Sequence, residues 1–338
     1  MGGIWIAGAV FASIVAQSDA AASGPGDKAG LVAHYGFEEE SIGRAADAVT
    51  YYRIGAADGA ARRLVVYLQG SDPSPQFSYI ADGESWSPRC WIPRDYETLL
   101  PSDVYVVIEK VGFNGVFVEG EIEVPDLYHE RNSLDDRVSR ADVVISRLAS
   151  VNDFQSVVVY GHSEGAPVAA KLATANEHIT HLGFWAGNAL PDFFDAVLGI
   201  RAGVHSGELS GTEAQAEIDM ALQYFSEVVS RDREGTEVDD FGYTNKRWWS
   251  YAEPPINHLL ALDIPIYVQV ATDDESAPIE STYLIPLEFA RQGKSNLSYN
   301  VCMGCDHGFF VVDQNGQRTR RWAEIFADFM AWVGRTPG

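Results

Sequence analysis

The chain has 338 residues, of which 46% are hydrophobic, so it can bury the core of one enzyme-sized domain that carries an insertion. Its formal net charge is −24 at pH 7, because 48 acidic residues outnumber 24 Lys and Arg residues. This excess of negative charge argues against binding to nucleic acid or to an anionic membrane surface through bulk electrostatics. We therefore expect no nucleic-acid partner and a well-solvated acidic surface.

The N-terminal segment, residues 1–22, is predicted to be a signal peptide. Residues 4–15 form an apolar run of signal-peptide length, and Ala20 and Ala22 supply a cleavage site of the A-x-A type. The segment departs from the usual pattern because no Lys or Arg precedes the apolar run. The run is too short for an ordinary membrane span, and no later stretch resembles one. We expect an exported protein, periplasmic or secreted, without stable membrane insertion.

Two strand-like runs and a helix follow before residue 150. Residues 64–68 and 104–108 are apolar and predict the third and fourth strands of a sheet. Residues 133–148 predict a helix, because apolar residues recur at helical spacing behind Ser133 as the N-cap.

Residues 156–167, with the sequence SVVVYGHSEGAP, carry most of the functional information. Residues 156–160 predict a fully buried strand of a parallel sheet, because β-branched apolar residues follow one another without a polar face. The alanine-rich residues 166–175 predict a helix. A G-x-S-x-G motif centred on Ser163 joins the two elements, and this context is typical of a nucleophile elbow.

The glycines of the motif, Gly161 and Gly165, fit an elbow because the serine lies on a strained turn where neighbouring side chains would collide. Ser163 is therefore the candidate nucleophile, with a Gly-rich loop and a buried serine as the alternative. A serine hydroxyl hardly ionises near neutral pH, so it needs a His base that is itself oriented by a carboxylate.

His307 is the candidate base among the eight histidines. It follows the strand-like run 297–303 and precedes an amphipathic helix predicted over residues 319–333, so it lies on the loop that leaves the last strand. His162 is next to the candidate nucleophile, but it is expected to point away and to be structural. The other histidines are interpreted as surface or packing residues, namely His34, His129, His178, His181, His205 and His258.

The candidate acid follows another buried strand, predicted over residues 264–270. Asp273, Asp274 and Glu275 come shortly after it, and the residues alone leave a choice among them. An Asp at this place gives the chain order Ser, Asp, His, which is found in one group of triad hydrolases.

Residues 181–186 predict the sixth strand, and residues 264–270 are then the seventh. Residues 190–262, between these strands, differ in pattern from the rest of the chain because they are helical, acidic and rich in aromatic residues. Residues 212–229 predict one clear helix. Trp248, Trp249 and Tyr251 form an aromatic cluster that could line a substrate pocket. The alternative is that these rings attach the insertion to the core.

The cysteines Cys90, Cys302 and Cys305 leave several pairings open. An odd number in an exported protein allows one bridge and leaves one thiol. Cys302 and Cys305 have C-x-x-C spacing, but no second pair completes a zinc site. We expect no metal and no organic cofactor. A local bridge between Cys302 and Cys305, a bridge from Cys90, and three thiols are the alternatives.

In combination, these motifs resemble those of α/β-hydrolases, in the esterase and serine-peptidase-like branch that carries GHSEG elbows. The resemblance extends from about residue 64 to the C-terminal helix. It implies an α/β fold with a mostly parallel central sheet flanked by helices, and a helical cap between strands six and seven. Residues 23–189 and 263–338 would then be the two parts of the core, and residues 190–262 the cap.

The resemblance also selects the acid and supports the base. The acid of such proteins commonly lies in a stretch like G-x-x-D-x-x-x-P, which residues 271–278 match with Ala for Gly. This places the acid at Asp274, with Asp273 as the fallback. The base often lies in a stretch like G-x-D-H-G-F, which residues 304–309 match around His307.

Two backbone N–H groups are expected to form the oxyanion hole. One belongs to Glu164, the residue after the nucleophile. The other is assigned to Ser71, in the loop after the third strand, where Gln69-Gly70 replaces the His-Gly that relatives often carry. An ordinary turn at Gln69 and Ser71 is the alternative.

The sequence therefore predicts a serine hydrolase that cleaves carboxylic esters through an acyl-enzyme on Ser163. A serine peptidase with the same triad is the alternative, because both reactions pass through a tetrahedral intermediate. The absence of a recognisable propeller or other gating domain favours the esterase. A non-catalytic binding protein of the same fold is a third reading. The predicted partner is a small-molecule ester or peptide substrate.

Overall fold

The computed structural model describes residues 27–44, 47–82, 85–113 and 124–337, so the predicted signal peptide lies outside the described residues. The strands are β1 (Glu38–Ile42), β2 (Val49–Gly55), β3 (Arg63–Leu68), β4 (Phe77–Asp82), β5 (Ser85–Cys90), β6 (Asp103–Ile108), β7 (Ser156–His162), β8 (His181–Trp185), β9 (Ile266–Ala271), β10 (Leu297–Cys302), β11 (Phe310–Val312) and β12 (Arg318–Arg320). The helices are α1 (Lys28–His34), α2 (Asp126–Arg131), α3 (Leu134–Ala149), α4 (Gly165–Ala175), α5 (Asp192–Ser206), α6 (Gly211–Ser230), α7 (Asn245–Ser250), α8 (Pro255–Ala261), α9 (Ile279–Thr282), α10 (Leu284–Gln292) and α11 (Trp322–Val333).

Eight strands form the central sheet, in the order β1-β2-β6-β3-β7-β8-β9-β10. β1 and β2 pair antiparallel with their neighbours, and every pairing from β6 to β10 is parallel. The register places Leu68, at the end of β3, opposite Gly161 of β7. This pairing brings the loop that follows β3 next to the G-x-S-x-G turn.

The sheet is buried on both faces, which explains the continuous apolar runs of its central strands. In β3, Leu64 and Val66 face a core formed with α3, α4, α8 and α10. Val65 and Tyr67 face the opposite core, which is formed with α1 and α11. The alternation follows from the two-residue period of side chains along a strand.

The aromatic and acidic insertion lies between β8 and β9, which are the sixth and seventh strands of the central sheet in chain order. Its helices α5 and α6 share a small apolar cluster that includes Ile200, Ala214 and Ile218. α8 behaves differently, because Ile256 and Leu259 pack into the main core. Helices α5 to α7 are therefore the part of the insertion that does not contribute to the main core. This part is shorter than the cap predicted over residues 190–262.

The start of α3 agrees with the sequence signal, and the start of α11 differs from it. Ser133 caps α3, as predicted, by accepting a hydrogen bond from the backbone N–H of Asp136. The last helix begins at Trp322 and not at Thr319, because β12 pairs there with β11 in a short hairpin. Among the described residues, no helix has the length and apolar character needed to span a membrane.

Candidate active site

The turn between β7 and α4 is a strained strand-to-helix connection. Ser163 has a φ of 57°, in the left-handed region that non-glycine residues rarely occupy. A Cβ on Gly161 would lie 1.9 Å from the carbonyl oxygen of Gly165, and a Cβ on Gly165 would lie 2.0 Å from that of Leu68. Both glycines are therefore required by close backbone contact. This geometry is that of a nucleophile elbow with Ser163 at its tip.

Asp274 and His307 are in direct contact. Nδ1 of His307 lies 2.8 Å from Oδ1 and 2.9 Å from Oδ2 of Asp274. The carboxylate is held in place by the backbone N–H groups of Ser276 and Ala277, which donate to Oδ1 at 2.9 and 2.7 Å. An ionised carboxylate against Nδ1 keeps the proton on that nitrogen and leaves Nε2 available as a base.

Asp273, the fallback acid, lies elsewhere. Its side chain is exposed, and Oδ1 accepts a hydrogen bond of 2.8 Å from the hydroxyl of Thr272. Its backbone N–H donates to the carbonyl of Cys305 at 2.9 Å. The structure thus brings Asp274, and not Asp273, to His307.

Two opposed effects act on the pKa of His307. Burial favours the neutral ring and lowers the pKa, whereas the Asp274 carboxylate raises it by direct contact, with smaller contributions from Glu275 and Asp306. The carboxylates prevail, and the pKa of His307 is raised above its ordinary value.

His162 contacts the backbone of the candidate base. Its Nε2 lies 2.8 Å from the carbonyl oxygen of His307, and because a carbonyl can only accept, His162 donates this hydrogen bond. Burial, and then the charge on His307, hold the pKa of His162 well below its ordinary value, so the ring is neutral. This hydrogen bond joins the elbow to the backbone of the loop that carries His307.

A cavity of about 190 Å³ lies between the core and the insertion. Ser163 and His307 line it from the core, and residues of α5, α6 and α7 line it from the other side. Within the described residues, no hydrogen bond joins Ser163 to His307. Such contacts often form only when substrate is bound.

Glu164 joins the elbow to the insertion through a buried network of ion pairs. Its Oε1 accepts a hydrogen bond of 2.7 Å from Arg137 of α3, and its Oε2 accepts one of 3.0 Å from Nε of Arg247 of α7. Burial alone would raise the pKa of Glu164, but Arg247, Arg137 and Lys110 lower it to about 2. Glu164 is therefore a buried anion held by two guanidinium groups.

The loop after β3 lies against the elbow. A Cβ on Gly70 would lie 3.2 Å from Cβ of Ser163, and Ser71 lines the same cavity as the serine. Arg137 donates to the carbonyl of Gln69, so one arginine holds both this loop and Glu164. In the part of the chain that the structure describes, the backbone N–H groups of Ser71 and Glu164 are not used in hydrogen bonds. Open N–H groups are what an oxyanion hole requires.

The predicted aromatic residues take two different positions. Trp248 and Tyr251 line the cavity. Trp249 does not, because its ring packs against the guanidinium of Arg233, 4.0 Å from the ring centroid. The cavity wall also carries aromatic rings for which the sequence offered no signal beyond composition, namely Phe193, Tyr224, Phe241 and Tyr243.

A disulfide joins Cys302, at the end of β10, to Cys305, and Cys90 is buried outside this bridge. The bridge closes the loop that leads to His307. The carbonyls of both cysteines accept hydrogen bonds from the loop of the acid, from Thr272 at 3.1 Å and Asp273 at 2.9 Å. The acid and base loops are thereby tied to each other.

Comparisons by sequence and by structure give different results. No family model and no curated protein matches the sequence. Among solved structures, an acylaminoacyl peptidase of Pyrococcus horikoshii is similar over 92% of this chain and 44% of its own, with a TM-score of 0.53 and 12% identity. A puromycin-hydrolyzing peptidase of Mycobacterium tuberculosis is similar over 90% of this chain and 40% of its own, with a TM-score of 0.52 and 15% identity.

This chain therefore spans less than half the length of either peptidase. At such low identity the likeness concerns the fold. Together with the mostly parallel eight-stranded sheet, it shows that the chain has the α/β-hydrolase fold, which confirms the predicted fold class.

Proposed function

We propose that this protein is a serine hydrolase that cleaves small carboxylic esters through an acyl-enzyme on Ser163. The observation that carries the proposal is the contact of 2.8 Å between Asp274 and His307, because His307 lines the same cavity as Ser163 on its strained elbow. Nucleophile, base and orienting acid are the groups that acyl transfer requires.

In the proposed first step, Nε2 of His307 removes the proton of Ser163 Oγ while Oγ forms a bond with the ester carbonyl carbon. The tetrahedral intermediate then loses its alkoxide, which takes the proton from His307 and leaves as an alcohol. Water attacks the resulting acyl-enzyme with the same base, and the carboxylic acid and free Ser163 are formed. Asp274 stabilises the imidazolium that exists during each step.

The N–H groups of Ser71 and Glu164 are proposed to bind the oxyanion. Both residues line the cavity beside Ser163. The charge of the Glu164 side chain does not oppose this role, because Arg137 and Arg247 neutralise it. The N–H groups are fixed by the backbone, so they stabilise the developing charge without reorganisation.

The cavity favours a small substrate over a polypeptide. Its volume of about 190 Å³ is small, and residues of α5, α6 and α7 line it on the side of the insertion. A peptidase with the same triad remains the second candidate, supported by the fold likeness to two peptidases.

A substrate panel tests the proposal. Nitrophenyl esters of increasing acyl length and aminoacyl anilides are assayed side by side, and a fluorophosphonate probe identifies the reactive serine by mass spectrometry. We expect turnover of short esters and labelling at Ser163. Labelling at another serine would contradict the mechanism, and faster turnover of the anilides would favour the peptidase.

Export is also proposed, on the basis of the apolar run at residues 4–15 and the A-x-A site that follows it. Mass spectrometry of the mature N-terminus tests this proposal. Cleavage near Ala22 is expected, and an intact Met1 in protein recovered from the cytoplasm would contradict it.

A further inference from the structure

A buried carboxylate of the insertion lies on the cavity wall and has no role in the proposed triad. Asp195 is in the first turn of α5, where acidic side chains are usually exposed and interact with the helix dipole. Here the residue is 6% exposed and lines the cavity. In the described part of the chain, neither of its carboxylate oxygens makes a hydrogen bond of normal geometry.

The surroundings of Asp195 do not compensate for its burial. Burial, together with the carboxylates of Asp192 and Asp274, raises its pKa to about 8, although Ser281 and Asn188 lie close enough to lower the pKa. A carboxylate without water or a hydrogen-bonding partner is costly. A cavity whose wall contains such a carboxylate is suited to a ligand that supplies the missing hydrogen-bonding partner.

The charges on the cavity wall indicate the sign of that partner. Asp192 and Glu275 also line the cavity. Among the described lining residues Arg247 is the one Lys or Arg, and its charge is neutralised by Glu164 and Asp192, whereas Glu275 forms no ion pair with a Lys or Arg of the described residues. The wall therefore has a net negative charge, which opposes an anionic ligand and attracts a cation.

Aromatic rings on the same wall are also suited to a cation. Phe193, two positions before Asp195, has its ring centroid 4.8 Å from that of Trp248 and 6.4 Å from that of Tyr224. All three rings line the cavity. A ring face attracts an ammonium group, and the attraction is stronger when water is excluded.

We propose that Asp195 binds a protonated amino group of the substrate, so that the natural substrates are esters that carry an amine. This inference rests on the proposed function and names its substrate class. The ammonium N–H groups donate hydrogen bonds to Oδ1 and Oδ2 of Asp195, which provides the partner that these atoms lack in the free protein. The amino group is then held at Asp195 while the substrate carbonyl lies at Ser163, which lines the same cavity.

Calorimetric binding to the Ser163→Ala protein tests the inference without any turnover. Butylamine, 1-butanol and butyrate are the probes, at pH 8, where the amine is still protonated because its pKa is close to that of Lys. We expect butylamine to bind about ten- to a hundredfold more tightly than butanol, since hydrogen bonds to charged groups contribute that much. Butyrate is expected to bind most weakly.

The variant Asp195→Asn, made in the same background, should remove most of the preference for the amine. Asp195→Ser serves as a second variant, and thermal unfolding verifies that each is folded. The matched control is Asp219→Asn, on the exposed face of α6, which removes one acidic charge of the insertion without altering the cavity. It should retain the preference.

Equal binding of butylamine and butanol, or a preference that survives in both Asp195 variants, would overturn the inference. Tight binding of butanol that depends on Asp195 would also overturn it, because the carboxyl would then act as a neutral hydrogen-bonding group. The failure of the proposed function has a different signature. In that case the wild-type protein would not hydrolyse neutral nitrophenyl esters, whereas the amine binding would be unaffected.

Discussion

The two sides of the cavity are constructed differently. On the core side, Ser163, Asp274 and His307 lie on short loops at the ends of the parallel strands β7, β9 and β10, and these loops are held mainly by contacts that involve backbone atoms. On the insertion side, α5 to α7 are held by side-chain ion pairs and ring contacts between residues that are distant in the sequence. The geometry of the core side thus depends mainly on backbone contacts, and that of the insertion side depends on side-chain pairing.

One residue belongs to both sides. The backbone N–H of Glu164 is part of the elbow, whereas its buried carboxylate binds Arg247 of the insertion. A substitution that breaks the ion pair between Glu164 and Arg247 can therefore alter the candidate oxyanion hole, because the N–H of Glu164 belongs to it. The comparison predicts that changes on the core side abolish chemistry, and that changes on the insertion side alter stability and selectivity.

The largest effect is expected from Ser163→Ala. The variant should fold normally and lose about a millionfold in kcat, as other triad enzymes do when the nucleophile is removed. Hydrolysis of a short nitrophenyl ester and thermal unfolding are measured on the same preparation. Retention of more than a few per cent of activity would place the chemistry at another residue.

The next effect separates the adjacent acids of the core side. Asp274→Asn should lower kcat by about ten-thousandfold, because the amide no longer holds His307 in the required tautomer. Asp273→Asn is the matched control, since its side chain is exposed and bonded to Thr272. Comparable losses in the two variants would show that Asp274 is not the orienting acid.

Backbone contacts explain why much of the core side could be predicted. Gly161 is required by its contact with Gly165 inside the motif, so there the sequence pattern is itself the structural constraint, whereas Gly165 is required by the carbonyl of Leu68 in the neighbouring strand β3. The choice of Asp274 over Asp273 needed either a resemblance or the structure, because a difference of one position reverses the direction of the side chain.

The insertion side could not be predicted in the same way. Glu164 and Arg247 are 83 positions apart, and 24 Lys and Arg residues were possible partners for the glutamate. The composition indicated that aromatic residues are concentrated between residues 190 and 262, but not which rings face the cavity. Trp249 and Trp248 are neighbours on a short helix, and one of them points away from the cavity.

Arg247→Ala tests the attachment of the insertion to the elbow. Glu164 would remain buried with Arg137 as its remaining close guanidinium, and breaking a buried ion pair costs about 3–5 kcal/mol. Lys246→Ala is the matched control, because Lys246 pairs with Glu234, whose side chain is 74% exposed. Its loss should cost less than about 1 kcal/mol.

The free energies of unfolding of both variants are obtained from urea titrations with fits that compare the slopes as well as the midpoints. If Arg247→Ala and Lys246→Ala have equal effects, the ion pair with Glu164 does not hold the insertion. An unchanged stability with a lower kcat would instead place the main role of Arg247 in the oxyanion hole.

The smallest effect concerns the pH dependence of the reaction. Only the neutral ring of His307 can accept the proton of Ser163, so kcat/KM should fall as the pH decreases through the pKa of the free enzyme. Asp274, Glu275 and Asp306 raise this pKa despite burial, so the acid limb should have its midpoint above about 6.5. A rate that stays flat down to about pH 5 would exclude an ordinary histidine base.

Glu275→Gln sharpens this test because Glu275 contributes to the raised pKa without belonging to the triad. The carboxylate is exposed, so its removal should shift the acid limb downward by about 0.2–0.7 pH unit, the range expected for a solvent-screened charge pair. Glu280→Gln, which removes an exposed carboxylate of α9 that is not among the main influences on the pKa of His307, is the control and should leave the limb in place. Added salt should reduce the difference between the wild type and Glu275→Gln, because it screens this pair but not the buried contact between Asp274 and His307. If Glu275→Gln and Glu280→Gln shift the limb equally, the neighbour Glu275 has no specific effect on the pKa of His307. The rise in this pKa beyond that caused by Asp274 would then come from the acidic surface as a whole.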